Sequence, residues 1–181
     1  MARVPYMKRE DLSPEGQAAW DYIVKSRGQM LRPYELLMAS PWLGARVADV
    51  GLSVRKDSTL PDAARETIIL TVARELQNAF EYTYHEDIAR KNGVRESVIE
   101  SIRTRKQKGM IPQESVFVDY ARQVIGNRVN DATFQAVEHL VGQRGAVEAT
   151  LLASFYALMC LTMNALRLEL PANVPSKLPA P

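Results

Sequence analysis

The 181-residue chain has a single cysteine, Cys160, and only two histidines, His85 and His139. One cysteine excludes an intramolecular disulfide and a Cys-x-x-Cys redox pair, and with them a thiol–disulfide enzyme working within one chain. Charge of one sign is equally scarce in excess, because 23 Lys and Arg stand against 21 Asp and Glu for a net charge of +2. Such a chain has no strong field for collecting phosphates, and its seven tyrosines are not interleaved with arginine stripes, so nucleic acid is not an expected partner. The opening Met1-Ala-Arg-Val-Pro-Tyr lacks an apolar core followed by a small-residue cleavage site, and a cytoplasmic location is the expectation.

What is present is globular. Hydrophobic residues make up 46% and charged residues 24%, and a chain of this length buries roughly 70% of its unfolded surface. Residues 149–166 carry no charge and reach the length of a membrane span. Thr150, Ser154, Tyr156, Thr162 and Asn164 interrupt the stretch, Glu148 and Glu169 border it, and no basic cluster flanks it. These features predict a buried helix in the core or at a subunit interface, and no membrane partner.

Helical spacing recurs along the chain and alternating β-branched runs do not, so the fold class expected is all-α. Ser13-Pro14 and Ser40-Pro41 are helix starts, the first running toward Gly28 and the second through Trp42, Leu43, Val47, Val50 and Leu52. Pro61 opens a helix with one broad apolar face, Ile68, Ile69, Val72, Ala73 and Leu76, and a charged outer face on which Arg74 and Glu75 are solvated. A break at Gln77-Asn78 precedes a helix over 79–91, closed by Asn92-Gly93; together the two make an αα-hairpin from Pro61 to Lys91. Further helices are expected at 95–104, 113–125 and 131–141, then a long apolar one from Arg144. The run Arg103–Lys108 reads as a solvated helix end complementing the dipole. Residues 1–170 form a single expected domain, and 171–181, with Pro171, Pro175, Pro179 and Pro181, an extended arm that frays or lies on a neighbouring subunit.

Candidate chemistry centres on one helix. His139 points away from the core stripe Phe134, Val137, Leu140 and Val141, and reads as a surface residue. His85 follows Glu81 by four residues, so the two side chains share a helical face. Phe80, Tyr84 and Ile88 form the stripe expected to face the core, with Glu81 and His85 at its edge. By spacing alone the pair is either an ordinary surface pair, worth a few tenths of a kcal/mol, or an acid/base couple exchanging protons near neutral pH. Two ligands do not make a zinc site, and Ala89 stands where a His-Glu-x-x-His motif needs its second histidine.

Arg65-Glu66-x-Ile-x-Leu-x-Val-Ala-Arg, followed by Glu81-Tyr-x-x-His85-x-x-x-Ala89-x-x-x-Gly93-Val94, resembles the signature of the carboxymuconolactone decarboxylase family, which shares the helical fold of the AhpD-like alkylhydroperoxidases. The resemblance extends over the chain, whose closing run is similar to the longer single-domain members. It implies two chemistries. In the peroxidase branch a Cys-x-x-Cys pair precedes the histidine, and here Asn78 and Glu81 occupy those positions, so thiolate attack on peroxide is lost even though Glu66 and His85 match the proton relay. In the decarboxylase branch, Glu81 and Arg65 match; a Tyr-Cys-Gly-Val-Pro-like stretch in the C-terminal half is missing.

The resemblance therefore implies a cofactor-free lyase or decarboxylase acting on a small carboxylated lactone or related acid, with no metal. His85 would transfer the proton, Glu81 orient it, Glu66 serve as a second acid/base, Arg65 or Arg55 hold the carboxylate, and Tyr82 and Tyr156 shape the pocket. It also implies a homo-oligomer, a trimer or hexamer. The alternatives are an AhpD-like antioxidant peroxidase and a catalytically silent oligomeric protein that binds a ligand.

Overall fold

A computed structural model describes residues 1–179, and every regular element in them is helical. Helix α1 (Pro14–Arg27) starts where Ser13 accepts the Gly16 N–H at 3.3 Å and ends at Gly28, whose φ of 83° closes it. Then follow α2 (Arg32–Leu37), α3 (Pro41–Lys56), α4 (Asp62–Glu75), α5 (Ala79–Lys91), α6 (Glu96–Thr104), α7 (Pro112–Ile125) and α8 (Asp131–Leu166). Gly142, at φ 73° and ψ 170°, breaks α8 in two, between the helices expected on either side of it. Helix α2 is six residues long and has no periodic signal. The all-α fold class is as expected.

Two compact units divide the chain, Met1–Asp57 with Met163–Glu169, and Ser58–Thr162 with the segment from Leu170 onward. In the first unit α1 packs on α3. Small residues make this close: Gly44, Ala45, Ala48 and Gly51 are the buried face of α3, while Trp42, Leu43 and Val50 are exposed. A Cβ at Gly44 would lie 3.0 Å from the Leu37 carbonyl oxygen and 3.0 Å from Met38 Cε. The N-terminal segment is tied down within the same unit, where Arg3 donates to the carbonyls of Leu166 and Ala165 at 2.9 Å each.

In the second unit α4 packs against α5, α6 and α7. Every residue from Glu66 to Arg74 is buried, which overturns the expected charged outer face. The charged residues here are held by partners: Arg74 Nε donates to the Arg103 carbonyl at 2.7 Å, and Glu75 is paired with Arg105 at 3.1 Å and Arg122 at 2.9 Å. Arg105 also reaches the Glu75 carbonyl at the end of α4, where cations complement the helix dipole.

Helix α5 differs from its expected orientation in a way that matters for the site. Its buried face is Glu81, Tyr82, Thr83, His85, Glu86 and Ala89; Tyr84 is 44% exposed, with Phe80 and Ile88 only partly covered. Likewise Leu140, assigned to a core stripe, is exposed, and His139 is exposed as expected.

Beyond Gly142, α8 runs through the second unit to Thr162. Glu148 anchors it, accepting the Thr59 N–H at 2.6 Å and the Thr59 hydroxyl at 2.8 Å while pairing with Arg144 at 2.7 Å. Partial burial alone would raise the Glu148 carboxyl, but the Thr59 amide, Arg144 and the hydroxyls outweigh it and draw its pKa down to about 2. By length and composition α8 is apolar enough to cross a membrane; half of its most apolar stretch is buried in the protein.

The proline-rich arm lies on its own chain rather than fraying or reaching away. Lys177 donates its backbone N–H to Thr83 Oγ1 at 3.1 Å, and its ammonium pairs with Asp87 at 2.6 Å, both on α5. Pro181, the last proline of the expected arm, lies outside the described residues.

Candidate functional site

The site is built where α4, α5 and α8 meet in the second unit. Asn78 starts α5, its Oδ1 accepting the Glu81 N–H at 2.8 Å, and its Nδ2 donates to the Cys160 carbonyl on α8 at 3.3 Å. One side chain thus caps a helix and ties it to the helix that supplies Tyr156. Glu81 and His85 then point inward from successive turns of α5.

His85 is 2% exposed, and a carboxylate stands at each ring nitrogen. Nδ1 is 2.7 Å from Glu66 Oε2 on α4, and Nε2 is 3.3 Å from Glu81 Oε2. The Tyr156 hydroxyl is also 3.3 Å from Nε2, and its ring meets the imidazole edge-on with centroids 5.2 Å apart. Burial by itself presses His85 toward the neutral form, yet the hydrogen bonds to Glu66 and Glu81 outweigh it and its pKa lies above the ordinary value. Glu66 is wholly buried, and its second oxygen, Oε1, has no hydrogen-bond partner among the described residues.

The structure brings three of the expected site residues, Glu66, Glu81 and Tyr156, to His85, in a different order of closeness than expected. Glu66, expected as an auxiliary acid/base, makes the shorter contact to His85, while Glu81, expected to orient the ring, makes the longer. Tyr156 meets His85 across 71 positions of sequence. Tyr82 does not join them: its fully buried hydroxyl faces Glu86 and Arg103, and burial, then Glu86, pushes its pKa up to about 12. Arg65 turns toward the start of α4, pairing with Asp62 at 2.6 Å. Arg55 is half-buried on the last turn of α3, in the first unit.

Two residues with a structural hold on the site, Asn78 and Cys160, were not among the expected catalytic or substrate-binding residues. Asn78 carries a readable signal, an Asn directly before a helix start, and Cys160 carries none. The Cys160 thiol is buried, and burial together with Glu81 holds its pKa well above the ordinary value, which disfavours a thiolate. Among the described residues no group of three or more His, Cys, Asp or Glu side chains is arranged to hold a metal ion. A separate concavity of about 200 Å³ lies between α4, α6 and α7, walled by Ala64, Thr67, Val98 and Phe117, and does not include His85.

No protein-family model and no curated protein matches the sequence. Solved structures do match it. An alkylhydroperoxidase AhpD core protein, a peroxidase-related protein from Ralstonia eutropha JMP134, superposes with a TM-score of 0.76 at 19% identity, covering 96% of this chain and 94% of that one. The debrominase Bmp8, as a cysteine-to-alanine variant in complex with 2,3,4-tribromopyrrole, gives 0.72 at 12% identity, covering 93% of this chain and 91% of that one; its apo form gives 0.72 at the same identity. The chain therefore has the AhpD-like helical fold, as the family resemblance implied.

Proposed function

We propose that the protein is a cofactor-free acid/base enzyme of the lyase class that decarboxylates a small carboxylated lactone or a related acid. The observation that carries this reading is the buried imidazole with a carboxylate at each nitrogen. Glu66 holds the Nδ1–H and so fixes the tautomer, leaving Nε2 to give up and regain a proton beside Glu81 and Tyr156. In a decarboxylation the bond to the carboxylate carbon breaks, its electron pair passes into the adjoining unsaturated lactone, and carbon dioxide leaves. The Nε2 proton is delivered to the substrate carbon and is regained from solvent through Glu81 or Tyr156.

A cation must hold the substrate carboxylate. Arg65, which pairs with Asp62, and Arg55 are the two arginines to vary. The test is carbon dioxide release from a panel of small lactone acids and unsaturated carboxylates. Turnover by the native protein that falls roughly 10²–10⁴-fold in His85→Gln supports the reading. Turnover that His85→Gln leaves unchanged overturns it.

Peroxide reduction is a second reading, favoured by the peroxidase-related protein of the same fold. It would have to use Cys160, the one cysteine of the chain, whose thiol is buried and raised in pKa. Thiol-dependent peroxide consumption that Cys160→Ser abolishes would favour this reading over the first. Bromopyrroles join the panel as ligands because the debrominase of this fold is in complex with one.

A further inference from the structure

The concavity between α4, α6 and α7 exists because side chains are missing from its walls. Ala63 and Ala64 on the first turn of α4, and Gly93 in the turn before α6, stand where bulk would close it, and a Cβ on Gly93 would meet nothing within 4 Å. Protein interiors leave few voids larger than a water molecule, so about 200 Å³ beside the helix that carries Glu66 is space the chain does not fill for itself. Val98 and Phe117 wall it on the other helices. Water in so apolar a space lacks the two to four polar partners that hold it, and an apolar molecule that displaces it is favoured. Charge and hydrogen bonding narrow the occupant. The two charged residues of the lining, Arg95 and Glu114, are spent on each other: Arg95 Nε lies 2.7 Å from one Glu114 oxygen and Nη2 2.5 Å from the other, and Nη2 also donates to the Gly109 carbonyl at 3.1 Å. Thr67 brings the lining's hydroxyl, whose proton is already given to the Ala63 carbonyl at 2.8 Å, so Oγ1 can only accept.

We propose that this concavity is a binding site for a small uncharged cyclic molecule carrying one N–H or O–H donor, with its ring among Ala64, Val98 and Phe117 and its donor bonded to Thr67 Oγ1. The size agrees, since an apolar cavity of about 150 Å³ takes benzene and the larger space here admits a bicycle or a substituted ring. The charge agrees as well. A carboxylate would find no free cation in the lining, would face Glu114, and could gain Arg95 only by breaking a bidentate pair. The site lies apart from His85, and the inference stands or falls independently of the chemistry assigned there.

Calorimetric titration of the full chain tests this with four probes. Indole should bind with a Kd of about 1 mM or tighter, the range open to so small a molecule in a formed pocket. Benzofuran has the same shape without the N–H and should bind about 10-fold more weakly, the worth of one hydrogen bond. Thr67→Val should erase that difference by weakening indole alone. Benzyl alcohol should bind, and benzoate should not. Ala63→Phe, which puts a ring into the space, should abolish indole binding; its thermal unfolding reports separately whether it folds, and Thr67→Val, whose hydroxyl bonds only within its own helix, decides the matter if it does not. In NMR spectra of the native protein, indole should move the amide signals of Ala64, Val98 and Phe117 and leave the His85 imidazole in place. No probe bound at about 5 mM, benzofuran matching indole, an indole preference that survives Thr67→Val, benzoate binding as well as benzyl alcohol, indole binding retained in a folded Ala63→Phe variant, or shifts centred on His85 would each overturn the proposal.

Discussion

Glu66 Oε2 lies 2.7 Å from His85 Nδ1 with both side chains buried, so the charge state of the imidazole is tied to a carboxylate nineteen positions earlier in the chain. The His85 pKa in the fold is raised above the value of about 6.5 expected for an unfolded chain. A raised pKa means that the folded state binds the proton more tightly than the unfolded state does. Its contribution to stability is therefore fully present below about pH 6.5 and is lost as pH rises through the folded value.

Urea denaturation across roughly pH 5 to 9 should accordingly reveal a component of stability that declines as pH increases. In Glu66→Gln that component should shrink, and the His85 imidazole should titrate at lower pH by NMR, with the exposed His139 as reference. Because the substitution leaves the buried imidazolium with Glu81 as its remaining carboxylate, the loss of stability should be larger at low pH than at high pH. A His85 titration unmoved by Glu66→Gln would mean that the 2.7 Å contact does not set its charge.

Asn78 should matter through two bonds made by one side chain. Asn78→Ala removes both the cap of α5 and the tie to the Cys160 carbonyl, and should cost roughly 1–2 kcal/mol in thermal or urea unfolding. Asn78→Asp keeps an acceptor for the Glu81 N–H but loses the donor to Cys160. It should recover part of the loss, and recovery of all of it would show that the tie to α8 adds nothing.

These residues also mark where the sequence was legible. Helix ends were readable because they are local: Ser13-Pro14, Gly28 and Asn92-Gly93 act on the backbone beside them, and the observed ends follow them. Which face of α5 turns inward is not local. Periodicity favours Phe80, Tyr84 and Ile88, yet Glu81 and His85 are inside because Glu66, from another helix, supplies the partner that makes a buried imidazole tolerable. The same holds for Arg74, whose burial depends on a carbonyl 29 positions away, and for the arm, whose course follows from the pairing of Lys177 with Asp87. Spacing paired His85 with Glu81, and the family resemblance added Glu66, but the relative closeness of the two carboxylates is fixed by helix packing that neither encodes.

Gly44 should not tolerate a side chain. An added Cβ meets the Leu37 carbonyl oxygen at 3.0 Å, and that backbone atom cannot rotate away as a side-chain end would. Gly44→Ala should therefore destabilise the chain by about 1–3 kcal/mol in urea unfolding, whereas a neutral or stabilising result would require α2 to shift from its place beside α3.

Cys160 offers the most direct check on the interior around the site. Its thiol is buried and its pKa is held high by burial and by Glu81, so the thiolate that reacts with disulfide reagents is scarce in the fold. Labelling by Ellman's reagent at pH 8 should be at least about 100-fold slower in native protein than in urea-unfolded protein, with the rate limited by opening of the structure around α8. Asn78→Ala, which cuts the tie between α5 and the Cys160 carbonyl, should raise the native rate. Glu81→Gln should raise it further once access is controlled for, since removing the carboxylate removes one of the two influences that hold the thiol protonated. Fast labelling of the native protein would mean that Cys160 reaches solvent, and would return a thiol-based reaction to consideration for this site.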